Sequence, residues 1–192
     1  MKEAVIFSTA RTPIARAYKG AYNNTKSPTM TAHAIKHAVE RAGVEGGEVD
    51  DVIIGSVLNA GSAGGNIARL SGLAAGLPYS ASGQTIDRQC SSGVMAIATA
   101  AKQIMVDGMQ IVVAGGQENI TEVQQKYFEW FSKCTDENVT KHAPKAYLPM
   151  LYTAEYVAKK YNISRFSGLK MLSKIAKDIV KLKNNKRTLY TP

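Results

Sequence analysis

Cysteine is nearly absent from this sequence: Cys90 and Cys134 are the only two in 192 residues. That is too few for a disulfide scaffold, so reduced thiols and a reducing, cytoplasmic setting are expected. No stretch reaches the roughly eighteen apolar residues that a membrane-spanning helix needs, and no membrane partner is expected. Met1-Lys2-Glu3-Ala4-Val5-Ile6-Phe7 carries an early acid and only a short apolar run. It reads as a first strand rather than a signal peptide. Histidine is scarce too. His33 and His37 stand one helical turn apart, but no Glu or Cys accompanies them in ligand register, so they read as a helix flank and no metal is expected. The glycines of Gly61-Ser62-Ala63-Gly64-Gly65-Asn66 lack both a P-loop lysine and dinucleotide-binding spacing, which leaves a packing turn rather than a phosphate cradle.

Acidic residues are missing from one region only. Residues 1–164 hold 16 Lys+Arg and 14 Asp+Glu, whereas residues 165–192 hold 8 and 1. The overall net charge of +9 therefore belongs to the tail and does not mark a polyanion-binding domain; no nucleic-acid partner is expected. Leu169, Leu172, Ile175, Ile179 and Leu182 fall near one helical face of that tail.

What is present is an alternation of strand and helix signals. Ala4 to Ser8 reads as a strand that stops at Arg11-Thr12-Pro13, where proline favours extended or turning backbone. A loop follows to Pro28. Ser27-Pro28 opens a helix whose face Ile35, Ala38, Val39 and Ala42 runs to a stop at Gly43. Asp51-Val52-Ile53-Ile54-Gly55 is a continuous apolar strand of the kind buried on both sides in parallel sheets, and Gln110 to Gly116 repeats the pattern. Between them lies a helix from Ile67 to Ala75, ended by Gly76-Leu77-Pro78. Such alternation specifies an α/β fold with a mostly parallel sheet and right-handed crossovers. From Glu118 to Tyr161 the chain turns aromatic and mixed-charge, and the stripe around Trp130 reads as packing of a cap or an oligomer contact. His142, in Lys141-His142-Ala143-Pro144, is read as an exposed loop residue.

The most informative stretch is Asp87-Arg88-Gln89-Cys90-Ser91-Ser92-Gly93, which leads directly into Val94-Met95-Ala96-Ile97-Ala98-Thr99-Ala100-Ala101. This uncharged segment has helical periodicity and small or apolar residues on all faces, so a helix buried on every side is expected. Cys90 then sits at its mouth, where free N–H groups and the positive dipole end favour thiolate over thiol. Placement alone leaves two readings open, a small buried hydrophobe or a nucleophile. It also leaves open acyl transfer, redox exchange and peptide hydrolysis.

The run Gln84 to Ala96 resembles the active-site cysteine segment of the thiolases, the acetyl-CoA acetyltransferase family. Four further motifs match in order: Ala10-Arg11-Thr12-Pro13-Ile14, Asn66-Ile67-Ala68-Arg69 with Gly76-Leu77-Pro78, Gly115-Gly116-Gln117-Glu118-Asn119, and Met150-Leu151-Tyr152-Thr153-Ala154-Glu155. The resemblance covers Met1 to about Arg165. It departs from the family at Ala15, Ile67 and Leu151, and in the basic tail.

This resemblance implies a layered thiolase-like fold, represented by an N-terminal βαβαβ half with a buried central helix and the start of the inserted loop domain. The implied divisions are a half-core at 1–117, the beginning of the loop domain at 118–165 and a divergent tail at 166–192. Implied too are Cys90 as the nucleophile that carries an acyl-thioester intermediate, Met150 as a substrate-binding residue, and transfer of acetyl or acyl groups between CoA thioesters. Acyl-CoA and CoA are the implied partners, with coenzyme A a substrate carrier rather than a cofactor and a homo-oligomer, dimer or tetramer, as the assembled form. The family's activating histidine, second cysteine and oxyanion-holding asparagine and histidine belong to its second half, and this sequence has no Gly-His-Pro or Cys-Gly-Gly segment. The chain alone is therefore expected to be inactive. The alternatives are a non-catalytic fragment or interaction module with a basic tail, and a ketosynthase relative sharing fold and nucleophile; the Gly115–Asn119 turn favours the thiolase branch.

Overall fold

The computed structural model describes residues 3–164, so the basic tail and its amphipathic stripe lie outside the described residues. The chain divides into two compact units, one running to Phe131 and one beginning at Ser132.

The first unit is built on a three-stranded sheet, parallel throughout, with strands β1 (Asp51–Gly55), β2 (Ser82–Ile86) and β3 (Val112–Gly116) in the order β2-β1-β3. All five residues of β1 are buried, as a central strand covered on both faces requires. Its side chains alternate between two cores. Val52 and Ile54 join Ile35, Ile67, Ala68 and Leu77 on one face; Ile53 meets Ala96 and Ala100 on the other. Ile53 and Ile67 are fully buried, each worth roughly 1.5–3 kcal/mol relative to exposure. The first core is supplied by α1 (Ser27–Ala42) and α2 (Ile67–Ala74), the second by α3 (Ser92–Lys102). The chain moves across the sheet in one direction from β1 to β2 and back in the other from β2 to β3. Connections of one hand must then place α2 and α3 on opposite faces, and that is where they lie.

The βαβαβ unit is present, but its strands are not all the expected ones. Residues 4–8 form no strand and pair with nothing among the described residues, and Val5, Ile6 and Phe7 stay 71–79% exposed. A strand needs a neighbouring ladder, which apolar sequence alone does not supply. The strand that completes the unit is β2, whose Ser-Gly-Gln-Thr-Ile sequence shows neither an apolar run nor clean alternation. β3 is half-buried rather than doubly buried because it lies at a sheet edge. Helix α3 likewise meets the expectation on one face only. Ala96 and Ala100 press on the sheet, while Val94 is 60% and Ile97 37% exposed, since among the described residues one sheet packs on this helix and no second layer covers it.

Helix α2 is fixed to β2 by side chains of the Asn66–Arg69 motif. Asn66 caps α2 by accepting from the Arg69 N–H at 3.2 Å, donates to the Gly83 carbonyl at 2.7 Å and receives the Thr85 hydroxyl at 2.9 Å. The Arg69 guanidinium donates to the carbonyls of Tyr79 and Ala81. Helix α4 (Ile120–Phe131) docks through Val123 and Tyr127 against Leu58 and Ala63. Tyr127 stacks on Phe131 at 5.7 Å and meets Trp130 edge-on, so the aromatic stripe is partly cap packing, although Trp130 itself is exposed. The second unit contains α5 (Glu137–His142) and α6 (Met150–Tyr161). His142 is the exposed last residue of α5 rather than a loop residue, because Asp136 caps a short helix that the sequence reading does not include.

Glu122 in the first turn of α4 joins three segments. Its carboxylate receives Lys26 Nζ at 2.7 Å, the Ser62 hydroxyl and Asn119 Nδ2 at 3.2 Å. The Lys26 ammonium first, then the Ser62 hydroxyl, hold its pKa below the ordinary 4.5. A carboxylate depressed in the folded state contributes stability above its ordinary pKa and loses it as pH falls through the lowered value. Glu122→Gln is expected to melt a few degrees below the unmodified chain at neutral pH, and the gap should close as pH falls below 4.5. Melting curves at several pH values measure it, and a gap independent of pH would assign the loss to shape rather than charge.

Candidate active site

All three strands end in one row: Gly55 lies opposite Ile86 on β2 and opposite Gly116 on β3. The carboxyl edge of a parallel sheet is where open α/β folds place their chemistry. Cys90 lies here, exposed, in the five-residue turn between β2 and α3.

Close packing of backbone on backbone brings α3 to this edge. A Cβ on Gly55 would stand 2.5 Å from both the Ser92 oxygen and the Gly93 nitrogen, well inside contact distance, so β1 must end in glycine for the helix to begin where it does. On the other side, a Cβ on Gly116 would lie 3.3 Å from the Gly93 Cα and 3.4 Å from the Gly55 oxygen. Three glycines from β1, β3 and α3 thus meet at one point.

The turn itself is short and bonded at nearly every residue. The Gln89 N–H donates to Asp87 Oδ1 at 2.9 Å, and the Ser91 hydroxyl donates to the Arg88 carbonyl at 2.8 Å. The Ser92 hydroxyl receives the Arg88 N–H at 2.7 Å and donates to the Gln89 carbonyl at 2.6 Å. Gln89 adopts φ +50°, a left-handed conformation that costs a non-glycine residue about 1–2 kcal/mol and that the surrounding bonds hold. Cys90 is thus raised on a sharp turn immediately before the helix.

The motif after β3 serves this edge as a clamp. Gln117 Nε2 donates to the Ser56 hydroxyl at 2.8 Å, and its N–H donates to the Gly55 carbonyl at 3.0 Å. Both Glu118 oxygens accept from the loop after β1, from the Leu58 N–H at 2.9 Å and the Val57 N–H at 3.1 Å. Asn119 reaches the start of α1, donating to the Ser27 hydroxyl at 3.2 Å. Both Glu118 oxygens and the Asn119 amide nitrogen are thus engaged within the clamp, and Gln117 is held through its Nε2.

Met150 opens α6 in the second unit and is 77% exposed. His33 and His37 stack edge-on at 4.5 Å, and His37 pairs with Glu40 at 3.3 Å. No histidine takes part in the bonds of the Cys90 turn. A depression of about 390 Å³ lined by Asn23, Thr25, Lys26, Thr121, Glu122 and Lys126 coincides with the Lys26–Glu122 pair and holds no cysteine or histidine. The sequence singles out Cys90 as the candidate but gives Gly55, Ser92 and Gly116 no role of their own; a glycine ending each of two apolar strands was the available signal.

These features define a layered α/β domain with an exposed cysteine at a strand-to-helix junction. Comparison with known proteins makes that description specific. Residues 4–170 match the family described as thiolase, N-terminal domain. A 3-ketoacyl-CoA thiolase of Bacillus subtilis is 41% identical over 167 residues, covering 86% of this chain and 41% of the relative. An acetyl-CoA acetyltransferase of Cupriavidus necator is 38% identical over 174 residues, covering 86% and 44%. Among solved structures, the Bacillus anthracis acetyl-CoA acetyltransferase superposes with a TM-score of 0.67 at 34% identity, over 85% of this chain and 43% of that one. The Acat5 thiolase of Ascaris suum in complex with coenzyme A superposes with a TM-score of 0.60 at 34% identity, over 64% and 31%. The chain belongs to the thiolase family. It spans about two fifths of the length of the curated relatives it matches.

Cys90 and Cys134 are both exposed, so a difference in their alkylation rates reports reactivity rather than access. Cys90, in the turn immediately before α3, is expected to react with iodoacetamide about tenfold faster than Cys134 at neutral pH. Peptide mapping over time reads both rates, and equal rates would remove the case for an activated Cys90.

Proposed function

We propose that this chain supplies the nucleophile of a thiolase-type acyltransferase. In the first step Cys90 Sγ attacks the thioester carbonyl of an acyl-CoA. The bond from carbonyl carbon to Cys90 Sγ forms, the bond from that carbon to the CoA sulfur breaks, and CoA leaves with its electron pair and a proton. In the second, the methyl carbon of acetyl-CoA loses a proton to a base and attacks the acyl carbon; the carbon–carbon bond forms, the bond from acyl carbon to Cys90 Sγ breaks, and the released Cys90 thiolate takes back a proton from that base. The reverse sequence cleaves a 3-ketoacyl-CoA by thiolysis. Coenzyme A is thus a substrate carrier here, and the acyl-CoA and CoA named in the relatives are the partners we assign.

The observation that carries the reading is Cys90 exposed on a tightly bonded turn at the carboxyl edge of a thiolase-type sheet. Met150, exposed at the start of α6, is assigned to substrate contact by its motif alone. Both steps generate an oxyanion and move a proton, and each kind of assistance commonly contributes a hundredfold or more. Glu118 and Asn119 are engaged in the clamp, and the family's histidine and second-cysteine motifs do not occur in these 192 residues. We therefore assign this chain the acyl-accepting half of the reaction and no turnover by itself. The uncovered face of α3, with Val94 and Ile97 exposed, is assigned to an interface within the assembled homo-oligomer.

Incubation with acetyl-CoA should leave a slowly formed acetyl group on Cys90, detectable by intact mass and peptide mapping and lost in Cys90→Ser. Acetoacetyl-CoA cleavage should stay at background. Acetylation confined to Cys134 or to lysines would overturn the assignment of the nucleophile, and cleavage within about tenfold of an ordinary thiolase would overturn the assignment of a half-reaction only.

A further inference from the structure

We propose that Ser92 is the positioning residue of Cys90, its hydroxyl coupling the cysteine turn to the sheet. The inference rests on the reading of Cys90 as nucleophile and deepens it. Ser92 is only 4% exposed, whereas Asp87 and Ser91, the other two side chains that bond within the turn, are exposed. Hydrogen bonds shielded from water hold geometry better than those that compete with it, so the Ser92 pair is the one that fixes the turn. Those two bonds reach different residues: the Arg88 N–H at 2.7 Å and the Gln89 carbonyl at 2.6 Å. Together they span the peptide that enters Gln89, whose φ of +50° places the next residue, Cys90.

The backbone of Ser92 is itself fixed from below. Its carbonyl oxygen and the Gly93 nitrogen abut Gly55, the last residue of the central strand. Position therefore passes from β1 through Gly55 to the Ser92 backbone, and through the Ser92 hydroxyl to Gln89 and Cys90. Ser92 does not touch the sulfur; it acts through the turn. Removing the hydroxyl takes from the Arg88 N–H its part-buried partner and leaves the Gln89 carbonyl with the Ser92 N–H alone, so the turn is released from the left-handed conformation. Cys90 then moves away from the first turn of α3.

The test compares Ser92→Ala, Ser92→Thr and the double variant Ser92→Ala with Gln89→Gly, each in the full chain. Cys90 alkylation by iodoacetamide is timed against Cys134 of the same molecule, so that loss of global folding, which moves both, is told apart from loss of position, which moves one. Ser92→Ala should slow Cys90 about tenfold with Cys134 unchanged, as expected for a displacement of order 1 Å. Ser92→Thr keeps the hydroxyl and should stay within about threefold of the unmodified rate. Glycine at position 89 takes φ +50° without support, so the double variant should recover most of the loss, which a purely packing role for Ser92 would not allow. A Ser92→Ala chain whose Cys90 rate is unchanged, or a double variant no faster than Ser92→Ala, would overturn the proposal. Because alkylation requires no acyl-CoA, these outcomes are independent of whether the unmodified Cys90 accepts an acetyl group, which tests the acyltransferase reading separately.

Discussion

The contact on which the rest of this site depends is the approach of one backbone to another at Gly55. Sheets and helices normally stand apart by the length of their side chains, and here that spacer is removed at one point. The consequence is geometric: α3 begins almost on top of the last residue of the central strand, and a Cβ on Gly55 would fall 2.5 Å from the Gly93 nitrogen. The chain leaving β2 at Ile86 must then reach the helix in five residues. A turn that short requires unusual backbone, supplied by Gln89 at φ +50°, and so presents Cys90 outward at the sheet's carboxyl edge.

The Gly115–Asn119 motif serves the same constraint from the other side. Gly116 leaves room for Gly93, and Gln117 and Glu118 tie the exit of β3 to the exit of β1. With Asn119 and Glu122 extending the bonds to Ser27 and Lys26, the loops around the cysteine are bound to one another rather than to solvent. A motif that in sequence carries only a family resemblance holds the platform together. On the acyltransferase reading proposed above, the proton transfer and oxyanion stabilisation that Cys90 needs are assigned to groups outside this platform.

Much of this was legible in the residues. The apolar run Val52-Ile53-Ile54, the Gly43 stop and the Asn66 start announce their elements because each satisfies a local requirement of burial, handedness or capping. The cysteine segment and its companion motifs identified the family. What the sequence obscured depends on partners. Val5, Ile6 and Phe7 read as a strand but pair with no strand among the described residues, and Ser82 to Ile86 reads weakly but becomes a strand by pairing with β1. Ser92 was hidden because a serine after a cysteine carries no signal until the turn closes over it. The uncharged face of α3 was read as buried from composition, which records the surface a helix is made for and not what this chain places against it.

The most direct measurement of the central constraint is amide hydrogen exchange across the chain in the unmodified protein and in Gly55→Ala. If the approach at Gly55 fixes the start of α3, the added methyl must push that first turn away. Exchange should then rise at the Ser92 and Met95 amides, which bond to the Gln89 and Ser91 carbonyls, while α1 and α2 keep their protection. Unchanged protection at Ser92 and Met95, or an equal loss across every helix, would contradict the account.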